Sequence, residues 1–393
     1  MTERVRVLQV ITGFSAQAPA QSASLVAKYL DPRRYAVTAV SLRHHSAQSS
    51  PTVAELERCG IPHLSLDAGG QVDLAALARL FRLFRRIRPA VVHSHAFRAD
   101  AWCSLAGRMA GVPHLVCTVR NHDRDVLRME RDRLTASLSA AAAAWALRRA
   151  DAVVAVSEGI AGYVSGEGVP ADRVHVIRNG FDFDRLGGEA RQVRAALGWS
   201  PEDVVIGTLA ILQPRKGLTY LIEAARSVVA AHPRVRFFIA GEGPQRAELE
   251  DAIKRYDLAP RVELLGERRD ALDLLRASDV FVLPSLFEGL PRSLLEAMAI
   301  GVMPVVTDIG GSREAVEDGV SGLVVPAADA PALAAALNRA AGDASLRGRL
   351  AAAASDRVRS SFDARATARA HEALYESLLV RASAGPNRVS RSA

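Results

Sequence analysis

Short apolar runs rich in β-branched residues alternate with helical segments along almost the whole chain, and this alternation limits the folds it can adopt. In the first half the strand-like runs are RVRVLQVIT, YAVTAVSL, AVVHSH, HLVCTV and AVVAVS. In the second half they are DVVIGTLAI, VRFFIAG, RVELLG, DVFVLPS, MPVVTD and GLVVP. Uniformly apolar runs are typical of strands buried on both faces of a parallel sheet. The alternation therefore predicts an α/β fold with doubly wound parallel sheets.

The pattern is interrupted over RNGFDFDRLGGEARQVRAALGW, which indicates a junction between two domains. With 393 residues the chain is long enough for two hydrophobic cores. We predict Rossmann-like domains over residues 1–183 and 200–362, a helix over about 364–383 that can pack back on the first domain, and a disordered tail over 384–393. Two facing domains of this kind would place the carboxyl ends of both sheets around an interdomain cleft, where such sheets bind ligands.

Charge and composition restrict the class of partner. The formal net charge of +7 favours nucleotides, anionic lipid surfaces or nucleic acids. Nucleic acid is disfavoured because aromatic residues make up only 5% of the chain and the sequence contains no nucleic-acid-binding signature. The segment RLFRLFRRIR has apolar residues at helical spacing with arginines between them. It predicts a sheet-covering helix with a basic outer face, or, as the alternative, a peripheral contact with a membrane.

The cysteines and the N-terminus indicate the compartment. Cys59, Cys103 and Cys117 have unrelated spacings, so they predict no metal site, and their odd number favours a reducing cytoplasm. The N-terminus lacks an apolar stretch of signal-peptide length, and Arg148 and Arg149 interrupt the Ala-rich segment that precedes them. We therefore expect a cytoplasmic protein, either free or peripheral on the inner face of the membrane.

Two glutamates lie eight positions apart in FEGLPRSLLEAMAIGVMPVV. Glu288 falls in a loop at a predicted strand end, and Glu296 falls in a predicted helix over Arg292–Ile300, with Pro291 at its first position and Gly301 after its end. Glu296 lies outside the apolar stripe of that helix, so both carboxylates can face one crevice. Stabilisation of the helix dipole by about 0.3 to 1 kcal/mol could explain Glu296 without a ligand, but it does not explain Glu288.

Lys216 is the second candidate site residue. All but three of the 50 basic residues are arginines, and this lysine stands in LQPRKGLTYLIEAA between a strand and a helix. A lysine beside a helix N-terminus can bind a diphosphate, since the free N–H groups and the ammonium both attract anions. The alternative is a solvated Lys-Gly turn.

Three other motifs do not predict a ligand site on their own. FFIAGEGPQRAELE is only a partial dinucleotide motif, because Arg246 occupies the third glycine position. Asp182 and Asp184 have a D-x-D spacing that could hold a divalent cation, but they follow an Asn-Gly turn, which favours a solvated turn. His93 and His95 are interpreted as loop hydrogen-bonding residues because the sequence offers them no other metal ligand. We therefore predict no metal site.

These motifs, together with PRKG, IAGEGP, NGFD and GGSREAVEDGVSGLVVP in the order in which they occur, resemble the retaining GT-B glycosyltransferases of family 4, also called glycosyl transferases group 1. The resemblance covers nearly the whole chain and is most specific from Lys216 to Pro326. It implies transfer of a sugar, with retained anomeric configuration, from a nucleotide diphosphate sugar to a glycan, lipid-linked or small-molecule acceptor. It implies no obligatory metal and no cofactor, and a role in glycan, polysaccharide or glycolipid biosynthesis.

The resemblance also implies roles for individual residues. Glu288 would contact the donor sugar near the reacting carbon, and Glu296 would hold the ribose hydroxyls, since carboxylates are suited to accept hydrogen bonds from a vicinal diol. Lys216 and the backbone N–H groups of Gly289 and Leu290 would bind the diphosphate and stabilise its charge as it leaves.

The chain departs from the family pattern in three places. The arginine usually found five positions before the lysine is Ile211 here, and Arg215 is the expected substitute. The usual glycine-rich loop after the first strand is replaced by TGFSAQAPAQS. The histidine that often follows the strand HLVCTV is Arg120, which we assign with His95 to the acceptor side. The remaining residues that we assign to nucleotide-sugar binding are Glu267 and Arg268.

Two other functions fit the same architecture. A nucleotide-sugar 2-epimerase would convert the donor without an acceptor, and an inactive protein would only bind the sugar nucleotide. We expect a glycosyltransferase.

Overall fold

The computed structural model describes residues 3–14, 18–43, 50–69, 73–122, 133–186 and 190–383. The chain forms two compact units: the N-terminal unit, Met1–Asn179 with Ala364–Ala393, and the C-terminal unit, Gly180–Asp363. The tail over 384–393, for which we predict disorder, and part of the loop after the first strand, residues 15–17, lie outside the described residues.

The N-terminal unit is built on a seven-stranded parallel sheet with the order β3-β2-β1-β4-β5-β6-β7. Its strands are β1 (Val5–Ile11), β2 (Tyr35–Ser41), β3 (His63–Ser65), β4 (Val91–His95), β5 (His114–Val119), β6 (Ala152–Ala155) and β7 (Val174–Val176). Its described helices are α1 (Ala18–Tyr29), α2 (Pro51–Arg58), α3 (Leu74–Ile87), α4 (Phe97–Ala110), α5 (Arg133–Arg149), α6 (Glu158–Gly166) and α15 (Ala364–Ser383). Strand order reverses between β1 and β4, and such switch points are where open α/β sheets bind ligands.

The C-terminal unit is built on a six-stranded parallel sheet with the order β10-β9-β8-β11-β12-β13. Its strands are β8 (Val204–Leu209), β9 (Val235–Ala240), β10 (Val262–Gly266), β11 (Val280–Leu283), β12 (Met303–Thr307) and β13 (Leu323–Val325). Its described helices are α7 (Ala190–Ala196), α8 (Leu218–Ala231), α9 (Arg246–Arg255), α10 (Ala271–Arg276), α11 (Arg292–Ile300), α12 (Gly310–Ala315), α13 (Ala330–Gly342) and α14 (Ala344–Ser361). Its switch point lies between β8 and β11. The two sheets confirm the predicted α/β class with two Rossmann-like units.

The last helix, α15, belongs to the N-terminal unit. Its residues Leu374, Tyr375 and Leu378 join a core cluster with Val7 of β1 and Val91 of β4. The backbone N–H of Asp31, after α1, donates to a carboxylate oxygen of Glu372 at 2.6 Å. Residues from the end of the chain therefore complete the core around β1 and β4.

Candidate active site

The loop after β11 holds Glu288 among three polar partners. Lys216 donates a hydrogen bond from Nζ to Glu288 Oε1, and Ser285 Oγ donates to the same oxygen at 3.1 Å. Arg215 Nη1 lies 3.6 Å from Glu288 Oε2. The glutamate side chain is only 7% exposed, so its charge is held inside the protein by two cations.

Burial by itself raises the pKa of Glu288, because it disfavours the charged form. The charges of Lys216 and Arg215, with the hydrogen bonds from Lys216 and Ser285, outweigh burial and leave the pKa below the ordinary 4.5. Glu288 is therefore ionised at neutral pH. It can accept hydrogen bonds or stabilise positive charge, but it cannot act as a general acid.

A close backbone contact brings Lys216 to Glu288. Pro214–Lys216 form a 3-10 turn after β8, and Gly217 follows with a left-handed φ of 63°. A Cβ at position 217 would lie 2.0 Å from the carbonyl oxygen of Pro284, at the end of β11. Only glycine suits this position, because any side chain would collide with that backbone. The turn after β8 thus rests directly on the loop that carries Glu288.

Glu296 lies on α11, whose bounds, Arg292–Ile300, are those predicted. Gly301 ends the helix with a φ of 87°, as predicted. Pro291, however, precedes the helix with an extended ψ of 124°, so its prediction as the first helical residue is wrong by one position. Glu296 Oε1 lies 3.3 Å from Arg292 Nη2 and 3.6 Å from Arg185 Nη1.

Two buried arginines beside these glutamates have donors without a hydrogen-bond partner. Within the described residues, Arg215 Nη1 and Arg292 Nη1 are buried and donate no hydrogen bond. The side chains of Arg215 and Arg292 are 12% and 9% exposed. Leaving a buried donor unsatisfied costs about 1 to 3 kcal/mol, and more for a charged group. These N–H groups are suited to an oxygen-rich ligand that would take up the bonds.

The segment between the glutamates is tightly packed. Gly289 and Leu290 are buried, and a Cβ at Gly311 would lie 1.7 Å from the carbonyl oxygen of Gly289. The glycine at 311 lets the start of α12 lie against this segment, which fixes its backbone.

Glu267 and Arg268 lie elsewhere on the sheet. They follow β10, the edge strand, which is three strands from β11 and so roughly 14 Å away at the usual strand spacing. Glu267 is exposed, and Arg268 forms an ion pair with Asp270 at 2.6 Å. The structure does not bring either residue into contact with Glu288 or Glu296.

The acceptor-side candidates lie together in the N-terminal unit. Arg120 follows β5, and its Nη2 lies 2.9 Å from Nδ1 of His95, the last residue of β4. His93 and His95 are buried strand residues, so their interpretation as loop residues is wrong, although both form hydrogen bonds. They are buried because β4 is central in its sheet.

Asp182 also differs from its prediction. It is 1% exposed and accepts a hydrogen bond from the backbone N–H of Asp184 at 3.0 Å, so its carboxylate is not solvated, whereas Asp184 is exposed. In the described part of the chain there is no group of three or more histidine, cysteine or acidic side chains arranged to hold a metal ion.

Sequence reasoning missed Arg292, Arg185 and Ser285. Arg292 precedes Glu296 by four positions, and this helical spacing could have identified the pair. Ser285 is three positions before Glu288 in a loop whose shape the sequence does not predict, and Arg185 lies in a different segment from Glu296. Neither leaves a local signal.

Comparisons with known proteins identify the family and the fold of the chain. Residues 20–185 match the family model described as Glycosyltransferase Family 4, and residues 189–357 match the one described as Glycosyl transferases group 1. The lipopolysaccharide core biosynthesis mannosyltransferase LpsB of Rhizobium meliloti is 34% identical over 65% of this chain and 75% of its own length. A UDP-Gal:alpha-D-GlcNAc-diphosphoundecaprenol alpha-1,3-galactosyltransferase of Escherichia coli is 28% identical over 69% and 71%.

In two other relatives the match covers a smaller share of the relative's own length, 57% and 47%. Among solved structures, Alr3699/HepE of Anabaena in complex with UDP-glucose superposes with a TM-score of 0.81 at 24% identity, covering 95% of this chain and all of that one. The two family matches and the similarity to LpsB, in agreement with the shared architecture, show that the chain belongs to the family 4 glycosyltransferases, with the GT-B fold.

Proposed function

We propose that the protein is a retaining, metal-independent hexosyltransferase that uses a nucleotide diphosphate sugar as donor. The observation that carries the proposal is the ionised, buried Glu288 held by Lys216 and Arg215 at the switch point between β8 and β11. Family membership supports the reaction class. The 2-epimerase and the inactive binding protein are not favoured, because the named relatives are transferases.

Charge favours a diphosphate at this position. Lys216 and Arg215 oppose one carboxylate, and Arg185 and Arg292 oppose the other, so each cluster has an excess of one positive charge. A donor diphosphate would replace Glu288 as the partner of Lys216. The released carboxylate would then accept hydrogen bonds from the sugar hydroxyls and stabilise the positive charge that develops at the anomeric carbon.

The second cluster would bind the nucleoside. Glu296 would accept hydrogen bonds from the ribose hydroxyls, and the unpaired N–H of Arg292 would donate to a nucleotide oxygen. UDP-hexoses are the first donors to test, because HepE was solved with UDP-glucose and the Escherichia coli relative is named for UDP-Gal. The same relative is named for an alpha-1,3 linkage, which supports retention as a hypothesis for this chain.

A peripheral membrane contact is the finer part of the proposal. The helix α3 buries Leu80 and Phe84 in its own unit and exposes Arg82, Arg85 and Arg86, so an association with a membrane would be electrostatic rather than insertional. No helix of the described residues is long and apolar enough to cross a bilayer. Binding to phosphatidylglycerol vesicles at low salt that is lost at high salt would support the contact, whereas no binding at low salt would exclude it.

Two assays test the proposal on the full chain. Thermal unfolding with a panel of nucleotide sugars identifies the donor, since a ligand at 100 times its Kd stabilises the folded protein by about 2.7 kcal/mol. An Arg292→Leu variant should lose most of the stabilisation by UDP. Turnover of the selected donor is then measured with and without candidate acceptors, with Glu288→Gln as the variant expected to be impaired.

Each alternative gives a different result. Release of nucleoside diphosphate with sugar on the acceptor, in the donor's anomeric configuration, supports the proposal. An inverted product would overturn retention. Acceptor-free conversion of the donor sugar would indicate the epimerase, and stabilisation without any turnover would indicate a binding protein.

A further inference from the structure

A continuous series of buried hydrogen bonds crosses the switch point of the N-terminal sheet. The contacts join side chains of β1, β4 and β5, of the residue that follows β5, and of α15. They are Arg120 Nη2 to His95 Nδ1 at 2.9 Å, His95 Nε2 to Gln9 Oε1 at 2.6 Å, Gln9 Nε2 to Tyr375 Oη at 3.1 Å, Tyr375 Oη to His93 Nδ1 at 2.6 Å, and His93 Nε2 to Thr118 Oγ1 at 2.6 Å. We call these six residues the Arg120 chain.

Arg120 determines the direction of every bond in this chain. A guanidinium can only donate, so His95 Nδ1 must accept and its proton must lie on Nε2. His95 Nε2–H then donates to Gln9 Oε1, which leaves the Gln9 amide NH2 to donate to Tyr375. Because Tyr375 Oη accepts that bond, its own hydrogen is available for His93 Nδ1.

The last bond completes the same direction. With Nδ1 of His93 accepting from Tyr375, its proton lies on Nε2 and is donated to Thr118 Oγ1. Each side chain between the two ends thus accepts one bond and donates the next, and no two donors face each other. Such tautomers are deduced from the bonding partners rather than observed, and here one unambiguous donor is sufficient.

The two histidines of the chain must also be uncharged. A second proton on His95 would put an N–H against the guanidinium of Arg120, and a second proton on His93 would put one against the Tyr375 hydroxyl hydrogen. The rings stack with their centroids 4.3 Å apart. Burial lowers the pKa of both rings well below their ordinary range, and the charge of Arg120 lowers them further.

We propose that His95 is a positioning residue for Arg120, and that Gln9, Tyr375, His93 and Thr118 hold it in a one-way, uncharged hydrogen-bond chain whose direction Arg120 sets. The functional part rests on the proposed function, in which Arg120 lies on the acceptor side. In this role His95 is neither a general base nor a metal ligand, because its Nδ1 is occupied by Arg120 and its Nε2 by Gln9.

An ordinary buried polar cluster would make the same contacts but would not have a direction imposed from one end. Without Arg120 the opposite direction becomes equally possible, since Thr118, Tyr375, Gln9 and both histidines can each exchange their donor and acceptor roles. Removal of Arg120 should therefore change the tautomer of His93, at the far end of the chain. This long-range effect distinguishes a direction imposed by Arg120 from an ordinary buried polar cluster.

The test is long-range ¹H–¹⁵N correlation NMR of the ¹⁵N-histidine-labelled full chain without substrate, with signals assigned from single-histidine variants. In the unmodified protein His93 and His95 should each be a single Nε2–H tautomer from pH 8 to 6. Arg120→Met should give tautomer mixtures at both histidines. Tyr375→Phe, which cuts the chain beyond Gln9, should give a mixture at His93 but leave His95 as Nε2–H.

Tyr35→Phe is the matched control for Tyr375→Phe. Tyr35 donates its hydroxyl to the Glu372 carbonyl at 3.5 Å and packs edge-on against Tyr375, but it is not part of the Arg120 chain, so both tautomers should stay unchanged. A charged or Nδ1–H His95 in the unmodified protein, or unchanged tautomers in Arg120→Met, would overturn the proposal. Because no substrate is present, this result is independent of whether the protein transfers sugar.

Discussion

Lys216 and Glu288 lie 72 positions apart in the chain and form a buried ion pair at the ends of two neighbouring strands. In the proposed function the lysine binds the donor diphosphate and the carboxylate binds the donor sugar, so both groups need hydrogen-bonding positions that they now use for each other. We infer that the donor enters by exchanging this pair for contacts of its own. The pair keeps the charges of both groups compensated in the free protein.

Replacement of Lys216 with alanine should lower kcat by about 10²-fold or more, as expected for the loss of a preorganised charge beside a leaving group. Lys254→Ala is the matched control, because Lys254 is an exposed lysine on α9. Steady-state kinetics with saturating donor measures the effect. Near-normal kcat in Lys216→Ala would remove this residue from the site.

Replacement of Arg215 with alanine should also impair turnover. Arg215 lies 3.6 Å from Glu288, and we expect it to supply the charge that family members obtain from an arginine at the position of Ile211. The measurement is the same kinetic assay. A variant as active as the parent would show that another cation has this role.

The pH dependence of turnover should change when Lys216 is removed. The pKa of Glu288 lies below 4.5, so in the unmodified protein its carboxylate stays ionised as pH falls from 7 to about 5. Its negative charge is lost only at lower pH. Without Lys216, burial is opposed by one cation fewer, and the pKa should rise. The acid limb of kcat/KM in Lys216→Ala should therefore move to higher pH, and an unmoved limb would contradict the ion-pair account.

Turnover should survive a chelator. In the proposed function Lys216 and Arg215 would supply the positive charge that a divalent cation supplies in metal-dependent enzymes, and the Asp182 carboxylate is already engaged with the backbone N–H of Asp184. Activity is compared before and after EDTA treatment. Loss that is restored by Mn²⁺ or Mg²⁺ would assign Asp182 and Asp184 to a metal site instead.

Three buried histidines should make the protein less stable in mild acid. Burial lowers the pKa of His371 to about 4 and lowers those of His93 and His95 well below 6.5, with Arg120 adding to the effect in each case. Between pH 6.5 and 5 the unfolded chain therefore binds protons that the folded protein does not. The free energy of unfolding should fall by up to about 1.4 kcal/mol per pH unit for each histidine.

Urea unfolding at several pH values measures this slope. A His371→Phe variant should show a smaller slope than the parent, since the proton uptake of one histidine is lost. His232→Gln, at a partly exposed histidine of the C-terminal unit, is the control and should leave the slope unchanged. A slope that His371→Phe does not reduce would show that this ring is not kept neutral by folding.

Local chemistry explains which parts of the fold and site could be predicted. The bounds of α11 and β5 follow from short-range signals, namely a proline before and a glycine after the helix, and an unbroken apolar run for the strand. The edge strands β3 and β7 were not predicted, because HLS and VHV are short and contain polar residues, whereas the equally short β13, LVV, is wholly apolar and was predicted. Glu288 and Lys216 were each predicted as candidate site residues because both follow strands, and the resemblance to the family assigned both to the donor.

Contacts that depend on tertiary packing leave no short-range signal in the sequence. Tyr375 meets His93 across 282 positions, and nothing in either segment indicates the other. The same holds for Arg185 and Glu296. Asp182 was misjudged because an Asn-Gly turn is usually solvated, whereas here the surrounding unit buries the aspartate that follows it.

The most direct test of the account is steady-state kinetics of Glu288→Gln and Glu296→Gln with varied donor concentration. Both changes keep the side-chain volume and remove the charge. In the proposed function Glu288 would contact the reacting part of the donor, so its variant should lose about 10²-fold in kcat, since only interactions that strengthen in the transition state accelerate the reaction. Glu296 would contact the ribose, so its variant should raise the KM for donor about tenfold with little change in kcat. If Glu296→Gln instead abolishes kcat while Glu288→Gln only raises KM, the roles assigned to the two carboxylates are contradicted.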